Sequence, residues 1–145
     1  MDNTVVRIES ELDVKAYLQN LRYALDNGAE IKIIQDRKVD NGRDVQYTNR
    51  YTLAKLFPDE APERALKREL KTLTVSDYLR TEKDTRFKNL SEWRVFGKTY
   101  NEDDEVYIKI RVELLTRQVN GHATTVMSFH FAIKAFKDEV FPYQR

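Results

Sequence analysis

The sequence contains no cysteine and only two histidines among its 145 residues. The lack of thiols excludes a disulfide framework and thiolate-bound zinc. His122 and His130 alone leave little for a histidine-based metal centre, so any metal site would have to depend on carboxylates. We therefore expect no metal site.

Long apolar runs and an excess of charge of one sign are also missing. No apolar run approaches the roughly 20 residues that a transmembrane helix needs, and the opening residues, MDNTVVRIES, lack the basic-then-apolar layout of a signal peptide. The net charge is only +1, so binding of nucleic acid would require a local basic patch. These absences predict a cytoplasmic protein without membrane contact.

The first half of the chain predicts helices. Apolar content of 41% over this length is enough for one domain with its own core. A capping pattern at Ser10 precedes apolar residues at helical spacing, which end at Asn27-Gly28. A second helix is expected over residues 49–57, before Pro58, and a third begins at Pro62.

Shorter elements are expected between and after these helices. Residues 30–37 predict a strand, followed by a tight hairpin turn at Asn41-Gly42. The capping pattern of Thr74–Asp77 predicts a brief helical turn at Tyr78–Arg80, and a charged loop is expected over residues 81–89. We expect one domain over residues 1–145, with a helix-and-hairpin extension (1–48) preceding a core (49–137).

The clearest structural signal is a long C-terminal hairpin. Two runs rich in β-branched and aromatic residues flank Asn120-Gly121, a dipeptide that favours a tight type I′ turn. With these two residues as the loop, Val106 would lie opposite Ala135. A preceding strand, Ser91–Gly97, would place Trp93 and Val95 in the core. A three-stranded antiparallel meander then follows the helical half, which makes the fold class α+β.

The face of this ribbon opposite the core is the best candidate for function. The predicted register sets Tyr107 against Lys134, Lys109 against Ala132, and Arg111 against His130. Arg111 and a protonated His130 would repel each other, a cost that the strand pattern does not require. The alternative is a solvated sheet face of ordinary composition.

Four blocks of sequence stand out, Ser76–Arg80, Glu92–Val95, Val106–Ile110 and Val126–His130. In order and kind, these blocks resemble the signatures of the MqsR family. That family comprises mRNA interferase toxins of type II toxin-antitoxin modules, with a small α+β fold of the RelE/RNase type. The likeness covers about residues 50–137, and the spacing from Trp93 to Tyr107 also looks the same.

The resemblance implies a metal-independent, sequence-specific endoribonuclease that cleaves mRNA by attack of the 2′-hydroxyl group. It also implies that no cofactor is needed and that a cognate protein antitoxin neutralises the activity; homodimer formation stays open. The chain differs from the family at three positions. Arg80 stands where the family has lysine, Arg94 where it has glutamine, and His130 where it has lysine.

Cleavage of RNA without a metal needs a base, an acid and cations that hold the phosphate. His130 suits the base or the acid, because imidazole titrates near neutral pH, and Tyr107 suits proton transfer or stacking on a base. With them we expect Arg94 and Arg80 in the catalytic group. The expected phosphate-binding residues are Arg111, Lys109 and Lys134.

Each of these residues has a structural alternative. His130 and Tyr107 could be ordinary sheet residues, Arg80 a helix-surface residue, and Arg94 an ion-pair partner of Glu92 or Glu113. For the whole chain, the alternative is a non-catalytic α+β module of a mobile element that binds RNA or protein. Arginine at positions of family lysine and glutamine favours it, because arginine binds phosphate well but is a poor proton donor.

Overall fold

The computed structural model describes residues 3–28, 30–33, 47–86, 91–114 and 122–144. Within them, three helices and six strands form an α+β fold, as predicted. None of these helices combines the length and the apolar character that crossing a bilayer requires. The elements are β1 (Thr4–Arg7), α1 (Glu11–Asp26), β2 (Glu30–Ile33), α2 (Asn49–Leu56), α3 (Pro62–Leu70), β3 (Tyr78–Asp84), β4 (Trp93–Tyr100), β5 (Asp104–Leu114) and β6 (His122–Phe131).

The six described strands form one sheet in the order β1-β3-β4-β5-β6-β2. The predicted meander β4-β5-β6 is its centre. Neighbouring strands are antiparallel except that β2 runs parallel to β6. The sequence analysis did not predict β1, which pairs with β3 along one edge of the described sheet.

The helices begin where local chemistry predicts. The Ser10 hydroxyl accepts a hydrogen bond from the Asp13 amide (3.1 Å) at the start of α1, and Pro62 occupies the first turn of α3. All three helices pack on one face of the sheet, the helix face. Its core contains Val14, Leu18, Leu21, Leu25, Leu53, Leu66, Leu70, Phe96, Val106, Ile108, Ile110, Val126 and Phe129.

The hairpin of β5 and β6 forms, but its predicted register was wrong. Val106 lies opposite Phe131, four residues before the predicted Ala135, and a bulge follows Lys109. From Val106 to Lys109 the shift is four residues, an even number, which leaves each side chain on its predicted face of the sheet. Beyond the bulge the shift is five residues, an odd number, and Val126 takes a core position in β6. The predicted face is therefore kept for the residues from Ser128 to His130 in β6, while their cross-strand partners change. The turn at Asn120-Gly121 lies outside the described residues.

Two other predictions for the chain segments before β4 need correction. Tyr78–Arg80 is not a helical turn and residues 81–84 are not a loop, because both belong to β3. The capping box of Thr74 and Asp77 supports only a short 3₁₀ helix, Val75–Asp77. The predicted strand at residue 30 is confirmed by β2, whereas its continuation and the hairpin at Asn41-Gly42 lie outside the described residues.

Strand β4 has the opposite orientation to the predicted one. Trp93 and Val95 are buried, but they point away from the helices, whereas Arg94 and Phe96 lie on the helix face. Apolar residues at consecutive positions made the alternation ambiguous. We call the other side of the sheet the polar face. It carries Arg80, Glu82, Trp93, Val95, Gly97, Tyr107, Lys109, Arg111, Ser128 and His130.

Candidate functional site

A cavity of about 290 Å³ lies on the polar face, where the C-terminal segment (residues 132–144) crosses the sheet. Four parts of the fold build its walls: the strands β3, β5 and β6, and the C-terminal segment itself. The lining residues are Arg80, Tyr107, Lys109, Ser128, His130, Ala132, Ile133, Lys134, Phe136 and Glu139. The cavity therefore brings together five of the seven predicted site residues.

The C-terminal segment is anchored on both sides of Glu139. The rings of Phe136 and Phe141 pack edge to face, 5.3 Å between centroids, and press on Gly97. A Cβ atom at position 97 would lie only 2.8 Å from the Phe136 ring, so the close approach requires glycine. Further along, Tyr143 stacks on Tyr78 with 6.2 Å between centroids. These contacts fix the backbone that carries Glu139.

Tyr107 and His130 form the centre of the cavity. They are direct partners across β5 and β6, and their rings stack with 5.4 Å between centroids and 27° between planes. His130 is only 4% exposed, so it is buried and does not lie on an open, solvated face of the sheet. Its Nδ1 lies 2.9 Å from the carbonyl oxygen of Phe131. A carbonyl only accepts, so Nδ1 carries hydrogen and Nε2 is the atom that can gain or lose a proton.

Arg80 connects the tyrosine to two carboxylates. Its guanidinium donates to Glu82 (2.8 Å), to Glu139 (3.2 Å) and to the hydroxyl oxygen of Tyr107 (3.2 Å). Burial alone would lower the pKa of Arg80, but the hydrogen bond to Glu82 and the neighbouring negative charge raise it. Arg80 is thus a fixed cation at the wall of the cavity.

Two lysines complete the ion pairs around the cavity. Lys109 donates to Glu82 (2.8 Å), and Lys134 lies 3.0 Å from the second carboxylate oxygen of Glu139. Burial would raise the pKa of Glu82, but Lys109 and Arg80 outweigh it, so the pKa lies below its ordinary value. Glu82 is ionised at neutral pH, and it offsets part of the positive charge of the site.

The Tyr107 hydroxyl stays protonated at neutral pH. Its burial raises the pKa, and the negative charge of Glu82 raises it further, against the opposing effect of Arg80. Because the hydroxyl oxygen already accepts from Arg80, its hydrogen is directed elsewhere. Tyr107 is therefore suited to donate a hydrogen bond or a proton rather than to act as a base.

Arg111 lies on the polar face but beside the cavity. Its guanidinium sits over the Trp93 ring, 4.3 Å from the centroid, and its cross-strand neighbour is Thr125. The repulsion predicted between Arg111 and His130 is therefore wrong. Arg111 remains a cation on the polar face, further along β5 than Tyr107.

Arg94 does not belong to this site. It lies on the helix face, where it donates two hydrogen bonds to Glu9 (2.9 and 3.0 Å) and covers the Tyr17 ring at 4.6 Å. Its predicted place in the catalytic group was wrong. The ion-pair alternative was right in kind, although the partner is Glu9; Glu92 instead accepts from Arg7 at 2.6 Å.

The sequence analysis missed Glu82, Glu139, Ser128 and Phe136 as parts of this site. Glu82 carried a usable signal, because residues two apart in a strand share a face and Arg80 was already a candidate. Ser128 carried the same signal relative to His130. For Phe136 and Glu139 no periodic pattern exists, since the path of the C-terminal segment across the sheet decides their position.

Among the described residues, no group of three or more histidine and acidic side chains is arranged to hold a metal ion. The acidic groups of the site instead pair with arginine and lysine. Comparison of the chain with protein-family models, with curated proteins and with solved structures finds no match in any of the three. Any statement about function therefore depends on the arrangement of side chains and on the sequence resemblance of residues 50–137.

Proposed function

We propose that the protein is a metal-independent endoribonuclease that cleaves RNA by attack of the 2′-hydroxyl group. The observation that carries the proposal is the stacked pair of Tyr107 and His130 in the wall of a cavity, with Arg80 bonded to the tyrosine hydroxyl. An imidazole, a protonated phenol and a fixed cation are the three kinds of group that this reaction needs.

The side chains divide the proton transfers between them. His130 Nε2 takes the proton of the 2′-hydroxyl as the 2′-oxygen bonds to phosphorus, and the bond from phosphorus to the 5′-oxygen breaks. The leaving 5′-oxygen takes the proton of the Tyr107 hydroxyl. An alkoxide is a much stronger base than a phenolate, so this transfer is favourable even with the raised pKa of Tyr107.

Cations around the cavity suit the charge that builds on the phosphate. Arg80 presents a planar fork of donors, while Lys109 and Lys134 add point charges. Glu82 and Glu139 offset two of these three positive charges, which leaves one net positive charge before His130 is counted. Low net charge limits nonspecific capture of RNA, so binding would depend on fit to the cavity.

The biological setting of the proposal comes from the resemblance of residues 50–137 to the MqsR family. On the basis of this resemblance we propose mRNA as the substrate, a cognate protein antitoxin as the partner, and the cytoplasm as the place of action. The cavity chemistry supports only the cleavage reaction. Arg94, one of the four catalytic residues that the sequence analysis predicted, lies on the other face of the sheet and has no part in the proposed reaction.

Incubation of the purified protein with RNA in EDTA tests the proposal. We expect cleavage by the native protein and a loss of about 10²-fold or more for His130→Gln, because one proton-transfer group is removed. His122→Gln, the same change at the start of β6, is the matched control and should keep activity. Since His130 is buried, urea unfolding must show that both variants fold. RNA that stays intact with the native protein in excess contradicts the proposal.

One observation favours the second candidate, a non-catalytic module that binds RNA or protein. Arg80, Lys109 and Lys134 each bind a carboxylate already, as expected for a structural network of ion pairs. This candidate predicts binding of RNA that weakens steeply with salt and no cleavage at any protein concentration. It also predicts no growth arrest when the protein is produced in cells.

A further inference from the structure

Glu139 is held in the cavity as an anion between two cations. One carboxylate oxygen accepts from Arg80 (3.2 Å), and the other lies 3.0 Å from Lys134. The Glu139 side chain is 11% exposed, whereas Lys134 is 64% exposed. The carboxylate therefore lies between an accessible lysine and a half-buried arginine at the wall of the cavity.

Arg80 and Lys134, which hold the Glu139 carboxylate, are also suited to bind a phosphate group. A phosphodiester presents two charged oxygens, as a carboxylate does, and arginine binds both kinds of anion through its fork of donors. The Tyr107 hydroxyl lies beside these donors, since it shares the Arg80 guanidinium with Glu139. A phosphate in the place of the carboxylate would thus contact Arg80 and Lys134 next to the proposed acid.

Glu139 and Glu82 differ in how easily they can leave their cations. Glu82 lies within β3, where its backbone pairs with β4 and its two oxygens bind Arg80 and Lys109. Glu139 follows the 3₁₀ helix Phe136–Asp138 on the C-terminal segment, outside the sheet. Rotation of the Glu139 side chain alone would vacate its place, while the rings of Phe136 and Phe141 keep the backbone anchored.

We propose that Arg80 and Lys134 form a phosphate subsite that the Glu139 carboxylate occupies in the resting protein. RNA binds there by displacing this carboxylate, so Glu139 acts as a built-in competitor that restrains the site. The inference rests on the proposed function for the nature of the phosphate, which is that of an RNA backbone. The subsite itself requires only that an anion replaces Glu139.

Binding of a non-cleavable ligand tests the subsite separately from catalysis. The probe is a short fluorescent RNA with 2′-O-methyl riboses, which lacks the attacking hydroxyl. We expect Glu139→Gln to bind it about tenfold more tightly than the native protein, equivalent to about 1.4 kcal/mol. Asp138→Asn is the matched control, since it removes the same charge from the exposed neighbouring residue and should change affinity little.

A second variant checks that the gain arises at the proposed subsite. Adding Lys134→Gln to Glu139→Gln should abolish the gain, and folding is not at risk because Lys134 is exposed. Inorganic phosphate is titrated in parallel. Tighter binding of the RNA than of inorganic phosphate supports an RNA subsite, whereas equal affinities would overturn the assignment to RNA.

The outcomes separate this inference from the proposed function. If Glu139→Gln binds the probe more tightly but native RNA is never cleaved, the subsite stands and the nuclease fails. If Glu139→Gln gains no affinity relative to Asp138→Asn, the subsite is wrong even where the native protein cleaves RNA. Loss of cleavage without a gain in affinity would make Glu139 a proton-transfer group instead of a competitor.

Discussion

Replacement of Arg94 by methionine should destabilise the fold and leave the proposed chemistry intact. Arg94 is the sole predicted catalytic residue that the structure places on the helix face, where both of its bonds go to Glu9. Glu9 is 6% exposed. Without Arg94, its carboxylate would remain buried with less compensating charge, which is the costly way to break a buried ion pair.

The size of the effect follows from the partners that Glu9 would keep. Removal of one partner of a buried pair costs about 3–5 kcal/mol. Thr81 still donates to Glu9 at 2.6 Å, and Arg7 remains at 3.4 Å, so we expect the lower end, about 3 kcal/mol. That is a large share of the roughly 5–15 kcal/mol by which domains are stable.

Urea unfolding measures this loss, with the fluorescence of Trp93, the one tryptophan of the chain, as the signal. The midpoint should fall while the dependence on urea stays the same. The double variant Glu9→Gln with Arg94→Met should recover part of the stability, because no charge is then left unpaired. A loss below about 1 kcal/mol together with abolished RNA cleavage would refute our placement of Arg94.

Three further predictions concern the tyrosine, the acid range and the C-terminal segment. Tyr107→Phe should lower the rate of RNA cleavage about 10²-fold in a gel assay, whereas Tyr23→Phe, at an exposed helix position, should not. The ion pairs hold the pKa values of Glu9 and Glu82 below the ordinary 4.5, so their stabilisation is present above that pH. The free energy of unfolding should fall as pH drops below about 4.5, and less so in Glu9→Gln, when measured by urea titration across this range. Gly97→Ala should cost about 1–3 kcal/mol by displacing two phenylalanine rings, with faster hydrogen exchange in residues 136–141; unchanged exchange would contradict that contact.

The helical half was predictable because its signals are local. The hydroxyl of Ser10 caps α1, and Pro62 starts α3, at the positions that their chemistry favours. Apolar spacing then identified the residues that pack on the sheet. Such signals depend on neighbours within one or two turns, so no knowledge of the tertiary structure was needed.

The face of the long hairpin was predictable, but its register was not. Alternation along β5 fixes that Tyr107 and Lys109 share a face, whatever lies opposite. The opposite residue depends on the connection between the strands and on the bulge after Lys109, which the apolar pattern does not encode. An even shift happened to keep His130 on the same face, and it paired the imidazole with Tyr107 instead of Arg111.

The remainder of the site depends on long-range contacts. Arg80 lies in the cavity because it belongs to β3. The sequence analysis predicted a helical turn there, because of the capping pattern at Thr74. Glu139 and Phe136 reached it because aromatic rings seat the C-terminal segment on Gly97. Arg94 is not with the other predicted catalytic residues, because it pairs on the helix face with Glu9, a buried carboxylate from a distant part of the chain.

The most direct test of the account is the identity of the ends produced from RNA of mixed sequence in EDTA, determined by phosphorus NMR. Attack by the 2′-hydroxyl predicts a 2′,3′-cyclic phosphate and a 5′-hydroxyl product, with the signal lost in His130→Gln and kept in His122→Gln. Intact mixed-sequence RNA, or products with a 5′-phosphate, would contradict a nuclease site built from Tyr107, His130 and Arg80.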